Sequence, residues 1–315
     1  MSENDAAAAP PRRGCGTMPV HHLLMAENPE YAANRVQIEN QAFAYETGAE
    51  AMARVGVTRI PVVVHVVFNT AAQNIGKDQV VSQIKVLTQD FRAQNPDIER
   101  VPPVWKPLVA DSRIEFHLAT QDPQGKPTDG ITRTQTGTTK FNIRTNAVKD
   151  SSRGGHDAWP ADRYLNLWVC PRIFDPGDPN EVLGYAQFPG GPADTDGVVI
   201  GHQFFGTTGT ASAPFNGGRT ATHEVGHWLN LLHIWGDDDG GCNGSDLVAD
   251  TPNSGAPNFQ TPTFPRLSCR NGPDGDMFVN YMDYTDDKAM FMFTKGQVAR
   301  MAATLDSARS SFNGA

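Results

Sequence analysis

The sequence has no run of eighteen apolar residues, so it offers no single helix able to cross a bilayer. It also lacks a basic excess. Its 26 Lys+Arg stand against 35 Asp+Glu, a net charge of −9. Nucleic-acid binding draws on a cationic face, and that class is set aside. The start, MSENDAAAAPPRRG, lacks the charged-then-apolar layout of a secretory signal peptide. No internal repeat or low-complexity linker occurs between residues 60 and 315. Cysteine is scarce, with four in 315 residues, and their spacing fits no zinc ribbon. Cys15 stands alone near the start and Cys170 lies in an apolar run. Cys242 and Cys269 share a Gly/Pro/Asn-rich region. Cys242–Cys269 is therefore a candidate disulfide, which would favour an oxidising compartment and an extracellular or secreted protein.

What is present is a globular composition, 39% hydrophobic and 19% charged, with 30 Gly and 23 Pro pointing to long ordered loops. The acidity fits either a solvated surface or oxygen ligands for calcium. Residues 27–53, rich in Ala, Glu and Asn, read as helix. Residues 60–68 (IPVVVHVVF) are β-branched and read as a buried strand. Residues 77–93 place Val80, Val81, Ile84, Val86, Leu87 and Phe91 at amphipathic helical spacing. Further strands are expected at 114–120, 164–169, 182–188 and 196–200, and a last helix near 294–308. Strands alternating with a long helix imply a twisted mixed sheet with helices against it, an α/β fold.

Residues 222–236 read THEVGHWLNLLHIWG. His223 and His227 are four apart, so a helix projects both from one face, where two imidazoles can reach one zinc ion. Glu224 follows the first histidine and sits beside such an ion as a base for water. His233 lies six beyond His227, and a continuous helix would carry it away. The chain must turn for His233 to become the third ligand. Asn230 sits where the turn is needed and tolerates the left-handed region, so the helix should end near Leu229. By chance alone, H-[DE]-x-x-H is expected ~0.03 times in a chain of this composition, and ~0.001 times with His233 at its fixed offset. His65, His117, His156 and His202 carry no such pattern and read as structural.

H-E-x-x-H-x-x-N-x-x-H, followed downstream by DMFVNYMDYTDD at 276–287, resembles the metzincin metallopeptidases and, within them, the pappalysin family and its small ulilysin-like members. The resemblance runs in motif order over residues 10–305. The sequence departs from it at Asn230, where most metzincins have Gly, and at Ala289, where ulilysin-like chains have a cysteine of a second disulfide. The resemblance implies a metzincin-like fold: a twisted mixed sheet with a long active-site helix, then a loop-rich C-terminal subdomain with a methionine turn. It makes residues 1–53 an inhibitory prosegment and 54–315 the catalytic domain, its N-terminal subdomain ending at about 233. Met282 becomes the Met-turn residue beneath the zinc. Tyr284 becomes the phenol that hydrogen-bonds the tetrahedral intermediate.

The expected activity is zinc-dependent hydrolysis of protein or peptide substrates by a monomer. Two other classes compete. One is a thermolysin-like zinc hydrolase, against which His233 and the Met-turn argue. The other is a calcium-stabilised binding domain with a vestigial zinc site, against which the retained Glu224 argues. Three further expectations follow. Asp237, Asp238 and Asp239, then SDLVADTP at 245–252, suit one or two structural calcium ions. The resemblance favours Asp246, Thr251 and the carbonyl of Val248 as ligands, with Asp250 weaker. The resemblance also makes Asp287, five residues past the Met-turn, the acid that selects a basic side chain after the scissile bond, Arg over Lys. RRGCGT at 12–17 would lay Cys15 on the zinc. Gly14 and Gly16 would allow close approach, and Arg12 and Arg13 would favour the thiolate and pair with acids of the cleft. A cut at Ala53–Arg54 would release this segment, the chain's own inhibitor.

Overall fold

The computed structural model describes residues 12–48, 56–238 and 240–312. Two helices come first, α1 (Thr17–Glu27) and α2 (Pro29–Glu46). Asn28 separates them and caps α2, its side chain accepting from Tyr31 N, with Pro29 at the first helical position. The sequence reading placed one helix over 27–53. The structure adds α1, and residues 49–55 lie outside the described residues.

Six strands form the main sheet. The order β2 (Ile114–Leu118), β1 (Thr58–Phe68), β5 (Leu165–Cys170), β8 (Val198–Gly201), β7 (Gly184–Ala186) runs from one edge to the other. β3 (Ile131–Gln135) pairs with the far half of β1, beyond the stretch used by β2. All these pairings are parallel except β7 with β8. β4 (Phe141–Asn142) and β6 (Ile173–Phe174) form a separate small ladder. β1 is buried almost throughout, which its β-branched run allows because the sheet is covered on both faces.

Alternation along β1 divides the core. Ile60, Val62, Val64 and Val66 face a cluster with Val80, Ile84, Leu87 and Phe91 of α3 (Lys77–Phe91) and with Ala221 and Val225 of α4 (Arg219–Trp228). Val67 faces the other way, towards Trp168, Tyr185, Val199 and Val20 of α1. Each buried aliphatic side chain contributes roughly 1.5–3 kcal/mol. The N-terminal helices are thus tied into the core of the sheet. α5 (Lys295–Asp306) closes the chain's order of helices. Its start carries a capping box between Thr294 and Gln297.

The stop of α4 decides the site. Asn230 takes φ 77°, the left-handed conformation its side chain tolerates. Leu231 N donates to Gly226 O at 2.9 Å and Asn230 N to His227 O at 2.8 Å. These are the two hydrogen bonds of a Schellman stop, and they reverse the chain toward His233. β7 is an edge strand of the sheet, and β8 is the last strand before α4.

Asn230→Gly should preserve the stop and leave the melting temperature and zinc content near wild type. Asn230→Val, β-branched at a positive φ, should cost about 1–3 kcal/mol and lower the zinc retained. Thermal melts with metal analysis of both variants check this; a Val variant with wild-type metal content would refute it.

Candidate metal centre

α4 carries His223 and His227 on one face, and the turn at Asn230 brings His233 against them. All three rings are buried. Their Nε2 atoms lie 3.1 to 3.2 Å apart. His223 Nδ1 lies 2.8 Å from Tyr281 O, His227 Nδ1 2.7 Å from Leu231 O, and His233 Nδ1 2.7 Å from Asp237 Oδ1. A carbonyl only accepts, so Nδ1–H donates in the first two rings and their Nε2 atoms carry lone pairs. Burial, then the neighbouring imidazoles, pushes His223 and His227 well below the usual histidine range. Three ring nitrogens held this way repel one another unless a cation lies between them. Tetrahedral zinc at 2.0–2.1 Å sets its ligand nitrogens about 3.3 Å apart, close to what is seen. The donor set fits zinc. Cys15 Sγ joins the same group, all four ligand atoms lying within 4.8 Å of one another.

The surroundings fix these rings. Trp235 stacks on His233 at 4.3 Å, and Asp237 holds its other face of hydrogen bonding. Asp237 Oδ1 thus serves the third histidine. Met282 is fully buried below α4. A Cβ added at Gly226 would stand 2.5 Å from its Sδ, so the Gly between the two histidines is what lets the sulfur approach. Met282 N donates to Asn280 Oδ1, and Asn280 and Gln297 exchange two side-chain hydrogen bonds that lock this turn to α5. Tyr284 lies edge-on to His233 at 4.9 Å, close to Cys15.

Glu224 is buried beside the histidines. Burial pushes its carboxyl up to about 7, against the lowering pull of Thr17, Cys15 and Arg13. Thr17 Oγ1 donates to Glu224 Oε2 at 2.8 Å and accepts from Ala186 N at 2.8 Å; Cys15 Sγ lies 3.4 Å from the same Oε2. Desolvation, then the charge of Glu224, pushes the Cys15 thiol well above its ordinary value. The two arginines do not counter this, because they are engaged elsewhere. Arg12 lies over the Phe259 ring at 4.9 Å.

Arg13 enters a closed pocket. Its NH2 meets Asp287 Oδ1 at 2.5 Å, with both side chains almost fully buried. Nε and NH2 each donate to Thr285 O at 3.3 Å, NH1 donates to Thr220 Oγ1 at 3.1 Å, and the guanidinium lies over Phe215. The backbone amides of Gly217 and Arg219 hold the other Asp287 oxygen. Of this pocket only Asp287 was singled out from sequence. Thr220, Thr285 and Phe215 come from distant stretches, and no spacing joins them. Residues 14–16 cross the cleft beside β7: Gly16 N donates to Gly184 O and Leu183 N to Gly14 O, with Cys15 and Gly184 in a parallel bridge.

In the loops beyond His233, Cys242 and Cys269 are disulfide-bonded, while Cys15 and Cys170 are free. Thr251 Oγ1 donates within 2.7 Å of Asp246 Oδ2 and lies 2.9 Å from Val248 O, so these three oxygens do converge. Burial pushes Asp246 up to about 7. Asp250 instead accepts from Gly296 N at the start of α5, and Asp238 accepts from Asn243 N and Gly244 N. Asp239, Ala53 and Arg54 lie outside the described residues. His65, His156 and His202 take structural positions: His65 bonds Thr132 and Asn166 and stacks on His156.

Fold and site together define a metzincin-type metallopeptidase. The profile of peptidase family M43, described as pregnancy-associated plasma protein-A, matches residues 149–306, half of the chain, and the chain belongs to this family. It is a metalloendopeptidase, which removes the alternative of a non-catalytic binding domain. An extracellular metalloprotease of Verticillium alfalfae is 33% identical over 96% of this chain and 92% of its own. One of Pyricularia oryzae is 42% identical over 145 residues, which span 44% of this chain and 47% of that protein. A mutant of Tannerella forsythia promirolysin superposes with a TM-score of 0.86 at 45% identity, covering 95% of this chain and 96% of its own. The latter likeness is to a proform and extends over almost the whole length of both chains.

Proposed function

We propose that this latent peptidase is a zinc endopeptidase that cleaves before arginine and is silenced by its own residues 1–53. The observation that carries the reading is Arg13. A guanidinium already fills the Asp287 pocket, with its charge paired, its N–H groups bonded and its plane over Phe215. An arginine of a substrate meets the same groups. Lysine is the weaker choice, since one ammonium cannot reach Asp287, Thr285 O and Thr220 Oγ1 as a planar fork does.

His223, His227 and His233 would hold a zinc ion, which when bound would supply Lewis acidity to the water and the scissile carbonyl. Glu224 takes the proton of the attacking water as its oxygen bonds the carbonyl carbon. It then gives that proton to the amine as the C–N bond breaks. Tyr284 donates its phenolic hydrogen to the oxyanion between these steps. β7 offers its edge to the extended substrate backbone, as it does here to residues 14–16. The relatives are extracellular proteins, and this chain is taken to act outside the cell. No helix among the described residues is long and apolar enough to cross a membrane.

Latency on this reading has three contacts on one short segment. Cys15 would offer its thiolate to the zinc, Thr17 ties down Glu224, and Arg13 fills the specificity pocket. Removal needs a cut between this segment and β1, and Ala53–Arg54 satisfies the proposed preference. Calcium at Asp246, Val248 and Thr251 would brace the loop stapled by Cys242–Cys269, because a buried carboxylate in an oxygen cluster gains most from a cation.

Three sets of measurements test this reading. Glu224→Ala should lose at least about 10²-fold in kcat while keeping zinc. In a peptide-library profile, Asp287→Ala should lose roughly 10- to 100-fold of the preference for Arg, the worth of a charge-assisted pair. A wild-type profile favouring apolar residues there would reject the assignment. Secondly, Cys15→Ala and Thr17→Val should each mature faster than wild type, Glu224→Ala should stay full length, and the matured protein should begin at or near Arg54. Full-length wild type with undiminished activity would refute the switch. Thirdly, a chelator that takes calcium and spares zinc should lower the melting temperature; unchanged melting would remove calcium from the account.

A further inference from the structure

α2 lies against α5, and the charge at their contact is divided unevenly. Arg300 of α5 is buried, its side chain 1% exposed. Its Nε donates to Asn230 O at 2.7 Å. Its terminal nitrogens pair with Glu39 and, at 3.5 Å, with Glu46, both on α2. Among the described residues these are its paired carboxylates. The other deeply buried arginines of the body carry acids of the body itself: Arg219 has Asp90 and Asp97, and Arg309 has Asp196. Arg300 alone among these three takes its ion-pair partners from the N-terminal segment, the body's Asp246 lying near it without pairing.

Loss of that segment, which the preceding reading supposes, strips Arg300 of both acids. The guanidinium does not swing free, because Asn230 O still holds Nε. Its two terminal nitrogens then face outward in a fixed fork suited to a carboxylate. The fork opens beside a pocket of about 450 Å³ lined on the body's side by Ser245, Leu247, Val248 and Ala249. α2 presents two acids to this place, Glu39 and Glu46 at i and i+7 on one face of the helix, with Phe43 between them on the rim and two-thirds exposed.

We infer that the matured enzyme carries a docking site at Arg300 for an acidic amphipathic helix of a protein substrate, separate from the cleft, and that α2 is the occupant of that site in the latent form. The chemistry that recognises the partner is two carboxylates about two helical turns apart on one face of a helix. Once α2 has left, water reaches the fork, and an incoming carboxylate regains the charge-assisted hydrogen bonds that Glu39 and Glu46 made.

The probe is a synthetic peptide of residues 36–48, VQIENQAFAYETG, which holds Glu39, Phe43 and Glu46 and no basic residue, so cleavage before arginine leaves it intact. Labelled and titrated by fluorescence anisotropy, it should bind matured wild-type enzyme saturably and bind the full-length latent protein at least tenfold more weakly. Replacing both of its glutamates by Gln, or using Arg300→Gln enzyme, should weaken binding tenfold or more. A reporter with a cleavable Ala–Arg bond joined by a Gly/Ser linker to this peptide should show a KM at least fivefold below that of its double-Gln form, with kcat unchanged. The two peptides are compared on the same wild-type enzyme, so the result stands even where Arg300→Gln fails to fold. Equal binding of both peptides, equal binding to latent and matured protein, or equal KM overturns the docking site. N-terminal sequencing separates the two readings. An active enzyme that retains residues 29–46 overturns the removable segment and this site together. One that has lost them and ignores the peptide overturns this site alone.

Discussion

Three imidazole nitrogens pointed at one another are an unstable arrangement without a cation, and much of the C-terminal half exists to keep them so. Each ring is fixed by a hydrogen bond on its far nitrogen, to Tyr281 O, Leu231 O and Asp237. The acceptors come from the Met-turn, from the stop of α4 and from the loop after His233. Disturbing any of the three moves a ligand. This is why Met282 sits under Gly226, why Asn280 and Gln297 clasp the turn to α5, and why Trp235 stacks on His233.

How much of this was legible followed from how local each feature is. The histidine spacing, the left-handed Asn230 and the end of α4 near Leu229 are written within fifteen consecutive residues, and the structure bears them out. The amphipathic α3 and the β-branched β1 were equally readable. α1 was not, because TMPVHHLLMAE has little polar–apolar contrast to give it a face. β3, ITRTQ, is half exposed and short, and its place on β1 is a matter of register along a long partner strand. The acidic run after His233 shows the limit most directly. Composition makes Asp237, Asp238 and Asp250 alike, yet one holds a histidine, one a loop's backbone and one the start of α5.

The arginine pocket was beyond reach of any pattern. Asp287, Thr285 O, Thr220 and Phe215 converge only because α4 begins beside the segment that follows the Met-turn. The same geometry separates two kinds of buried charge in this protein. Arg219 and Arg309 are neutralised within the body and hold α4 at its two ends. Arg13 and Arg300 each form a bond that joins residues 12–48 to the rest.

The pocket over Asp287 has room for one guanidinium, and Arg13 is already in it. On the proposed reading the bond before Arg54 cannot enter the same molecule's site while that contact holds. The first productive cut is therefore made by a different copy whose own pocket has been vacated. Conversion then depends on encounters between molecules and feeds on its own product. A dilute secreted pool would stay dormant for long periods, whereas a crowded one would switch over abruptly, the delay being set by protein concentration and by whatever trace is already active.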